Sequence, residues 1–481
     1  MSLKQNKQHK GVKFAFQKQL MRLSHFLYIL GIISLLYGIT VTNAGCAQIG
    51  APTGGPRDSL PPRLVSALPQ LNSTNISGNR ITLNFNEYIE LKEPQTNILI
   101  SPYPKRSPNI DFKLRAVTVR LRDTLMPNTT YSINFGNAIV DINEGNALKD
   151  FTYVFSTGST IDSLTLSGKV ILAETGKVDS TMIAMLYRNA DDSAVQKIKP
   201  DYIARLKGDG TFSFVNLPPG SFKIYALKDG DGGRTYNSKK ELFAFSDTTV
   251  IISAVTAPVL LYASALEKES STTTARPLAP DRKLRYTPPA AGQQQDLASP
   301  FELVFNKPLK KFEPAKLLVT DTNYKPVPAQ LSIDSSRTKV LFTYAWQPGM
   351  QYRLILDSTA VSDSSNNSIA KTDTIRFTAK STEDYGTVVL RFSNLDLAKN
   401  PVLQFVSGET VKESYPLTGT EWSKKLMEPG EYEVRILFDD NKNGKWDPGD
   451  YSKKLQPEKV STLSQKLAIK ANWDNERDIK L

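Results

Sequence analysis

The sequence is written twice, and this duplication constrains the fold more than any other feature. Ile81-Thr82-Leu83-Asn84-Phe85-Asn86, followed by Leu99, matches Phe301-Glu302-Leu303-Val304-Phe305-Asn306, followed by Leu318. Downstream, Pro127-Asn128-Thr129-Thr130-Tyr131 corresponds to Pro348-Gly349-Met350-Gln351-Tyr352, a turn feeding a strand. Each copy then passes a polar loop (141–146 or 363–367) and ends in a closing strand (151–157 or 374–378). A second kind of unit follows each copy. Phe212-Ser213-Phe214 leads through Leu217-Pro218-Pro219-Gly220 to 222–229, and Trp422 leads through Leu426-Met427-Glu428-Pro429-Gly430 to 432–439.

From Pro61 onward, short alternating runs of Val, Ile, Thr, Tyr and Phe are broken by Pro, Gly, Asn and Asp at roughly 8–12-residue spacing, the pattern of antiparallel sandwiches. Period-two alternation puts one face of each strand inward. The expected fold is all-β, with four domains at 61–158, 163–262, 282–380 and 385–481. A polar, proline-containing linker, 263–281, separates the halves.

The N-terminus follows a different plan. Residues 1–45 hold Lys4, Lys7, Lys10, Lys13, Lys18 and Arg22, no acid, and an apolar run from Phe26 to Ile39. This is a signal peptide's order of charged start, apolar middle and small-residue exit, with Met1 or Met21 as the start. The run is shorter than the roughly 20 residues a transmembrane helix needs. Cys46, the only cysteine, follows directly, and Asn43-Ala44-Gly45-Cys46 resembles the bacterial lipobox. Asn43 stands where an aliphatic residue is usual. The resemblance implies cleavage before Cys46 and acylation of its sulfur, an anchor to the membrane; the alternative is an ordinary signal with an incidental cysteine. Residues 46–60, rich in Gly and Pro, read as a tether.

Cleavage removes six basic residues and no acid, so the formal charge falls from +12 to +6, with no dense basic stripe suited to nucleic acid. It also removes His9 and His25, the only histidines. Ser-His-Asp and Cys-His catalysis and common zinc sites need an imidazole or thiolate and are excluded. Paired carboxylates or a Ser-Lys site would survive.

The first and third units resemble the bacterial Ig-like domain of SbsA-type surface-layer proteins, on Pro61-Pro62, Leu83-Asn84-Phe85-Asn86-Glu87, Pro127-Asn128-Thr129-Thr130-Tyr131 and Phe155-Ser156-Thr157. The stretch 46–62, with Pro52-Thr53-Gly54-Gly55-Pro56-Arg57-Asp58, is similar to the start of Ig-like-domain lipoproteins of Bacteroidota. The second and fourth units resemble transthyretin-like or collagen-adhesin-B-like sandwiches, on Gly168-Lys169-Val170 and Pro219-Gly220-Ser221-Phe222. These resemblances imply an envelope protein with no catalytic residues to carry over.

The strongest chemical motif is the stretch 439–450. It aligns with a Ca²⁺ loop, placing Asp439, Asn441, Asn443, Lys445 (through its carbonyl), Asp447 and Asp450 around Gly444. The alternative is a strand-connecting loop whose Asp and Asn bond their own backbone. The corresponding loop of the second domain keeps Asp229 and Asp231 but has Gly233 and Arg234 next. Tyr225, Tyr236, Trp346, Trp422 and Trp446 are candidates for a glycan platform, or else core residues. Asp58-Ser59-Leu60, Asp123-Thr124-Leu125, Asp162-Ser163-Leu164 and Asp192-Ser193-Ala194 resemble a short O-glycosylation motif of Bacteroidota. Glu87 and Glu90 fit a solvated strand end better than a glycosidase pair.

The expectation is a non-enzymatic envelope lipoprotein, a spacer and interaction module for envelope proteins or glycans. The rivals are a glycan-binding lipoprotein of a polysaccharide-uptake system and a carboxylate-based hydrolase. Ala47, Gln48 and Ile49 lack an acidic sorting cluster, favouring an outer-membrane, periplasm-facing position.

Overall fold

The computed structural model describes residues 27–37, 57–188, 191–268, 283–287 and 293–481. Contacts divide the chain into two compact units, residues 1–60 and 61–481. In the first, residues 27–37 of the apolar run form an exposed helix. Among the described residues, no helix is long and apolar enough to cross a membrane. Cys46 and its lipobox lie outside the described residues, as do 269–281 of the linker.

The second unit is a tandem of β-sandwiches. In the first domain, Leu64–Leu68, Arg80–Phe85, Ala116–Arg120 and Asn109–Lys113 form one sheet in that order. Leu99–Ser101, Thr130–Asn134 and Thr152–Ser156 form the facing sheet, and Ile89–Leu91 pairs with Ile139–Asp141. The third domain repeats this order strand for strand, from Tyr286–Thr287 to Asp373–Thr378. The alternation places the core: Ile81, Leu83 and Phe85 face inward in one copy, Phe301, Leu303 and Phe305 in the other. The Pro-x turns form because the residue after proline takes positive φ, at which Asn and Gly are favoured; Asn128 has φ 47° and Gly349 φ 70°. Three residues after the turn, the Tyr131 hydroxyl accepts from the Met126 N–H (2.8 Å) and the Tyr352 hydroxyl from the Gln347 N–H (3.0 Å). The same corner is tied in both copies.

In the second domain, Thr211–Leu217, Leu164–Leu172 and Val259–Ala263 form one sheet. The other contains Tyr202–Arg205, Ile183–Tyr187, Gly220–Leu227 and Phe243–Phe245, with Val250–Ile252 also on Gly220–Leu227. The fourth domain has the matching arrangement, ending in Asp474–Lys480. In both, the first and last strands run parallel, Gly168 beside Val259 and Thr387 beside Asp474, a departure from the antiparallel expectation. The whole intervening domain serves as the crossover that parallel neighbours require.

Neighbouring domains dock. Between the first and second, the Tyr103 N–H donates to the Asp201 carbonyl (2.6 Å), the Arg205 guanidinium donates to the Thr96 carbonyl, and Leu99 and Tyr103 pack on the second domain's sheet. Between the third and fourth, buried Tyr385 donates its hydroxyl to Asp296 (2.6 Å) and accepts from the Leu297 N–H (2.8 Å), with Lys380 paired to Glu428 (2.6 Å). Burial opposes the Asp296 charge, but hydrogen bonds from Ser299 and Tyr385 hold its carboxyl below the usual range.

Candidate functional site

The Asp/Asn-rich stretch leaves the sheet at Phe438, the end of Gly430–Phe438, and rejoins it at Lys459–Thr462. Asp439 is buried, and its two oxygens accept from the N–H groups of Asn443 (3.2 Å) and Gly444 (2.7 Å). Gly444 has φ 75°, which allows the tight reversal. Asn441 Oδ1 accepts from the Asn443 N–H (3.0 Å) and Asn443 Oδ1 from the Lys445 N–H (2.7 Å). Both Asn side-chain amides donate to Asp447 Oδ2, each at 2.6 Å. Asp439, Asn441, Asn443 and Asp447 thus converge, and the two amides neutralise the point at which a cation would sit. Rotating them would present oxygens there instead.

Asp450, expected as the last ligand, is engaged elsewhere. It caps a short 3₁₀ turn, accepting from the Ser452 N–H (3.0 Å) and hydroxyl (2.6 Å), and pairs with Lys453 (3.2 Å). The carboxylate that faces the loop instead is Glu458, which the motif reading missed. Glu458 accepts from the Asp440 N–H (2.9 Å) and the Asp447 N–H (3.0 Å). Burial, with the nearby charges of Asp439 and Asp447, pushes its carboxyl above the usual range.

The second domain holds the equivalent glutamate. Leu227 pairs with Phe243 and Leu437 with Val460, so Glu241 and Glu458 occupy the same register, each two residues before the paired strand position. Carboxylate oxygens of Asp229, Asp231 and Glu241 all lie within 4.8 Å of one another. Here, however, Arg234 binds Asp229 (2.8 Å) and Asn237 donates to Asp231 (2.6 Å). A guanidinium supplies the positive charge, and the position corresponding to Arg234 in the fourth domain is Gly444.

The path from Asp229 to Glu241 is seven residues shorter than that from Asp439 to Glu458. The extra residues carry Tyr451, which crosses to the second domain. Its ring meets Tyr225, Phe243 and Phe245 at centroid distances of 5.8, 5.2 and 5.1 Å. Its hydroxyl lies 3.0 Å from that of Tyr225 and donates to the Asp192 carbonyl (2.8 Å). Around it, Gln456 bonds Phe245 and Asp247, the Gly449 N–H donates to Ser264 (3.1 Å), and the Val460 N–H donates to the Ala173 carbonyl (3.0 Å). Gly176 lies so close to the Val460 carbonyl that a Cβ there would approach it to 2.8 Å. Lys177 joins Glu433 (2.5 Å), which also holds Arg435 (2.6 Å).

The proposed aromatic platform is not assembled. Tyr225 and Tyr236 are buried beneath Tyr451, Trp346 is in the third domain's core, and Trp422 packs on Phe405 and Tyr415. Trp446 is half-buried and donates to the Glu458 carbonyl (2.8 Å). The physical reason is burial: each of these rings fills a sheet face that would otherwise be wet. The exposed tryptophan is Trp473 (62%), with the Lys470 ammonium 5.0 Å from its ring. Ser59, Thr124 and Ser163 of the short hydroxyl motifs are exposed, whereas Ser193 is half-buried with its hydroxyl on Asp191 (3.0 Å). Glu87 and Glu90 flank Ile89 at a short strand.

Residues 58–157 and 280–379 match the family model described as a bacterial Ig-like domain. The chain carries two bacterial Ig-like domains. Each Ig-like domain precedes one of the sandwiches that meet at Tyr451. No curated protein matches the sequence. Among solved structures, the N-terminal part of the bacterial S-layer protein SbsC is 15% identical, with a TM-score of 0.16, over 44% of this chain and 45% of that one. The Bacillus anthracis TIE protein is 11% identical (TM-score 0.18; 89% and 76%), and BcpA, the major pilin subunit of Bacillus cereus, is 11% identical (TM-score 0.15; 67% and 99%). The chain thus spans under half the length of the S-layer fragment.

Proposed function

We propose that this chain is a non-enzymatic cell-envelope lipoprotein, anchored through Cys46 at the outer membrane and facing the periplasm, whose sandwiches act as a spacer and interaction module. The observation that carries this reading is the docking of the second domain on the fourth through Tyr451. It ties the two Ig-like halves together instead of leaving them as beads on a linker. Envelope proteins or glycans are the partners, and native pull-down with mass spectrometry identifies them. The anchor is tested by Cys46→Ser: the variant is expected to leave the membrane fraction and to stop incorporating labelled palmitate, because several acyl chains at about 0.8 kcal/mol per buried methylene hold the parent chain there. Continued fractionation with labelled palmitate would refute the anchor.

We propose further that Ca²⁺ binds at Asp439, Asn441, Asn443, Asp447 and the Lys445 carbonyl, with Glu458 in place of Asp450. The chemistry is a set of hard oxygens on a tight loop. In the second domain the Arg234 guanidinium on Asp229 supplies the positive charge. Titrating the full chain with Ca²⁺ is expected to raise the stability of the fourth domain, by about 2.7 kcal/mol at a concentration 100 times Kd. Asp447→Ala should remove that gain; no heat and no shift in melting at millimolar Ca²⁺ would end the metal reading.

A further inference from the structure

The five-stranded sheets of the second and fourth domains share a register, so their outer faces can be compared position by position. Across the second domain the row runs Ile203, Met185, Tyr225, Phe245. The equivalent row in the fourth runs Ser414, Gln404, Arg435, Thr462. The first row is apolar and covered by Tyr451. The second is polar on the same face of the same fold, so its polarity is not a requirement of the sandwich.

Ser414, Gln404 and Arg435 line a crevice of about 470 Å³ between the two domains, in the range of small-molecule sites. Glu174 of the second domain, Lys268 of the linker that follows it, and Lys445 and Trp446 of the fourth domain also line it. Gln404 is 5% exposed, and among the described residues its amide makes no hydrogen bond to protein. Among the described residues the only buried side-chain atom without a partner is Arg353 Nη1, so the Gln404 amide opens onto the crevice, with two donors and an acceptor available to whatever enters it. Arg435, 6% exposed, holds Glu433 through Nε (2.7 Å) and Nη2 (2.6 Å), which leaves Nη1. Of the three lining cations, Lys268 is paired with Glu174 (2.5 Å) and Arg435 with Glu433 (2.6 Å), so the positive excess comes from Lys445.

We propose that this crevice binds an acidic saccharide, its carboxylate held by the cations, its hydroxyls by Gln404 and Ser414, and its ring against Trp446. The excess positive charge selects an acid, and the indole beside an amide that faces the crevice selects a sugar over a bare anion. This goes beyond the spacer reading and depends neither on lipidation nor on Ca²⁺.

The test is calorimetric titration of the full chain with digalacturonate, a neutral galactose disaccharide and citrate. Digalacturonate is expected to bind at least about tenfold more tightly than the neutral sugar, and citrate not to displace it. Gln404→Met, which installs the second domain's residue, should weaken digalacturonate about tenfold or more while leaving melting close to the parent's, since the amide bonds no other protein group among the described residues. Exposed Lys445→Gln should weaken the acid about threefold and leave the neutral sugar as it was. No heat with either sugar at tens of millimolar, citrate binding as well as digalacturonate, or undiminished affinity in Gln404→Met would each overturn the proposal.

Discussion

Tyr451→Ala is expected to separate the second domain from the fourth while all four sandwiches stay folded. Removing a buried aromatic ring costs about 3–5 kcal/mol, and this ring lies among Tyr225, Phe243 and Phe245 of another domain. The loss therefore falls on docking and not on the fourth domain's own core, which is built from Val388, Leu390, Leu403, Phe405, Val434 and Ile436. Small-angle scattering should report an increased radius of gyration and limited proteolysis a newly sensitive linker. Tyr451→Phe keeps the ring and removes the hydroxyl bonds to Tyr225 and Asp192. It should cost only about 1–3 kcal/mol and leave scattering close to that of the parent. An unchanged scattering profile for Tyr451→Ala would show that the two domains are held by other contacts.

Asp141→Ala is expected to unfold the first Ig-like domain locally. The Asp141 side chain is buried and accepts from four backbone N–H groups, those of Asn143 (3.0 Å), Glu144 (2.6 Å), Gly145 (3.0 Å) and Asn146 (2.7 Å). Deleting the acceptor strands these donors, at a cost of roughly 3 kcal/mol or more. Burial opposes the charge, but the four donors outweigh it and hold the carboxyl below its ordinary range. Asp363 is the counterpart in the third domain. Hydrogen bonds from the Asn367 side chain and backbone, with Lys307 at 3.1 Å, lower its pKa to about 2. A carboxyl depressed in the folded state contributes stability above its unfolded pKa and loses it as pH falls. Stability of both Ig-like domains should therefore decline as pH drops from about 4 towards 2. Hydrogen exchange of residues 139–148 would read this directly. Protection in Asp141→Ala equal to the parent's would show that the loop does not depend on its carboxylate.

The loop containing Asp141 was legible as a polar connection between strands, but not as a carboxylate cradled by its own backbone. That depends on φ/ψ values along the turn, which composition does not specify. The Asp/Asn-rich loop was legible in part. Alternate short oxygens around Gly444 announce convergence, and Asp439, Asn441, Asn443 and Asp447 do converge. Asp450 was misplaced because a hydroxyl two residues on, Ser452, offers its carboxylate a nearer partner. Glu458 was missed because it is distant along the chain and adjacent only through strand register. The repeat held a usable signal, since Glu241 and Glu458 stand at equivalent distances before the returning strand. The aromatic candidates failed for the opposite reason: tryptophan and tyrosine in a strand look alike whether the face they occupy is covered or open, and here most are covered.

By itself, the sequence determined the all-β class, the alternation of two kinds of sandwich and the inward faces of their strands. All three follow from short-range periodicity and turn chemistry, and the duplication doubles the signal. Only the tertiary structure decided which outer faces meet. Tyr451 against an apolar row in one copy, and Gln404 within a polar row in the other, depend on which sheet packs on which. Packing is set by contacts between residues hundreds of positions apart, which no local pattern records.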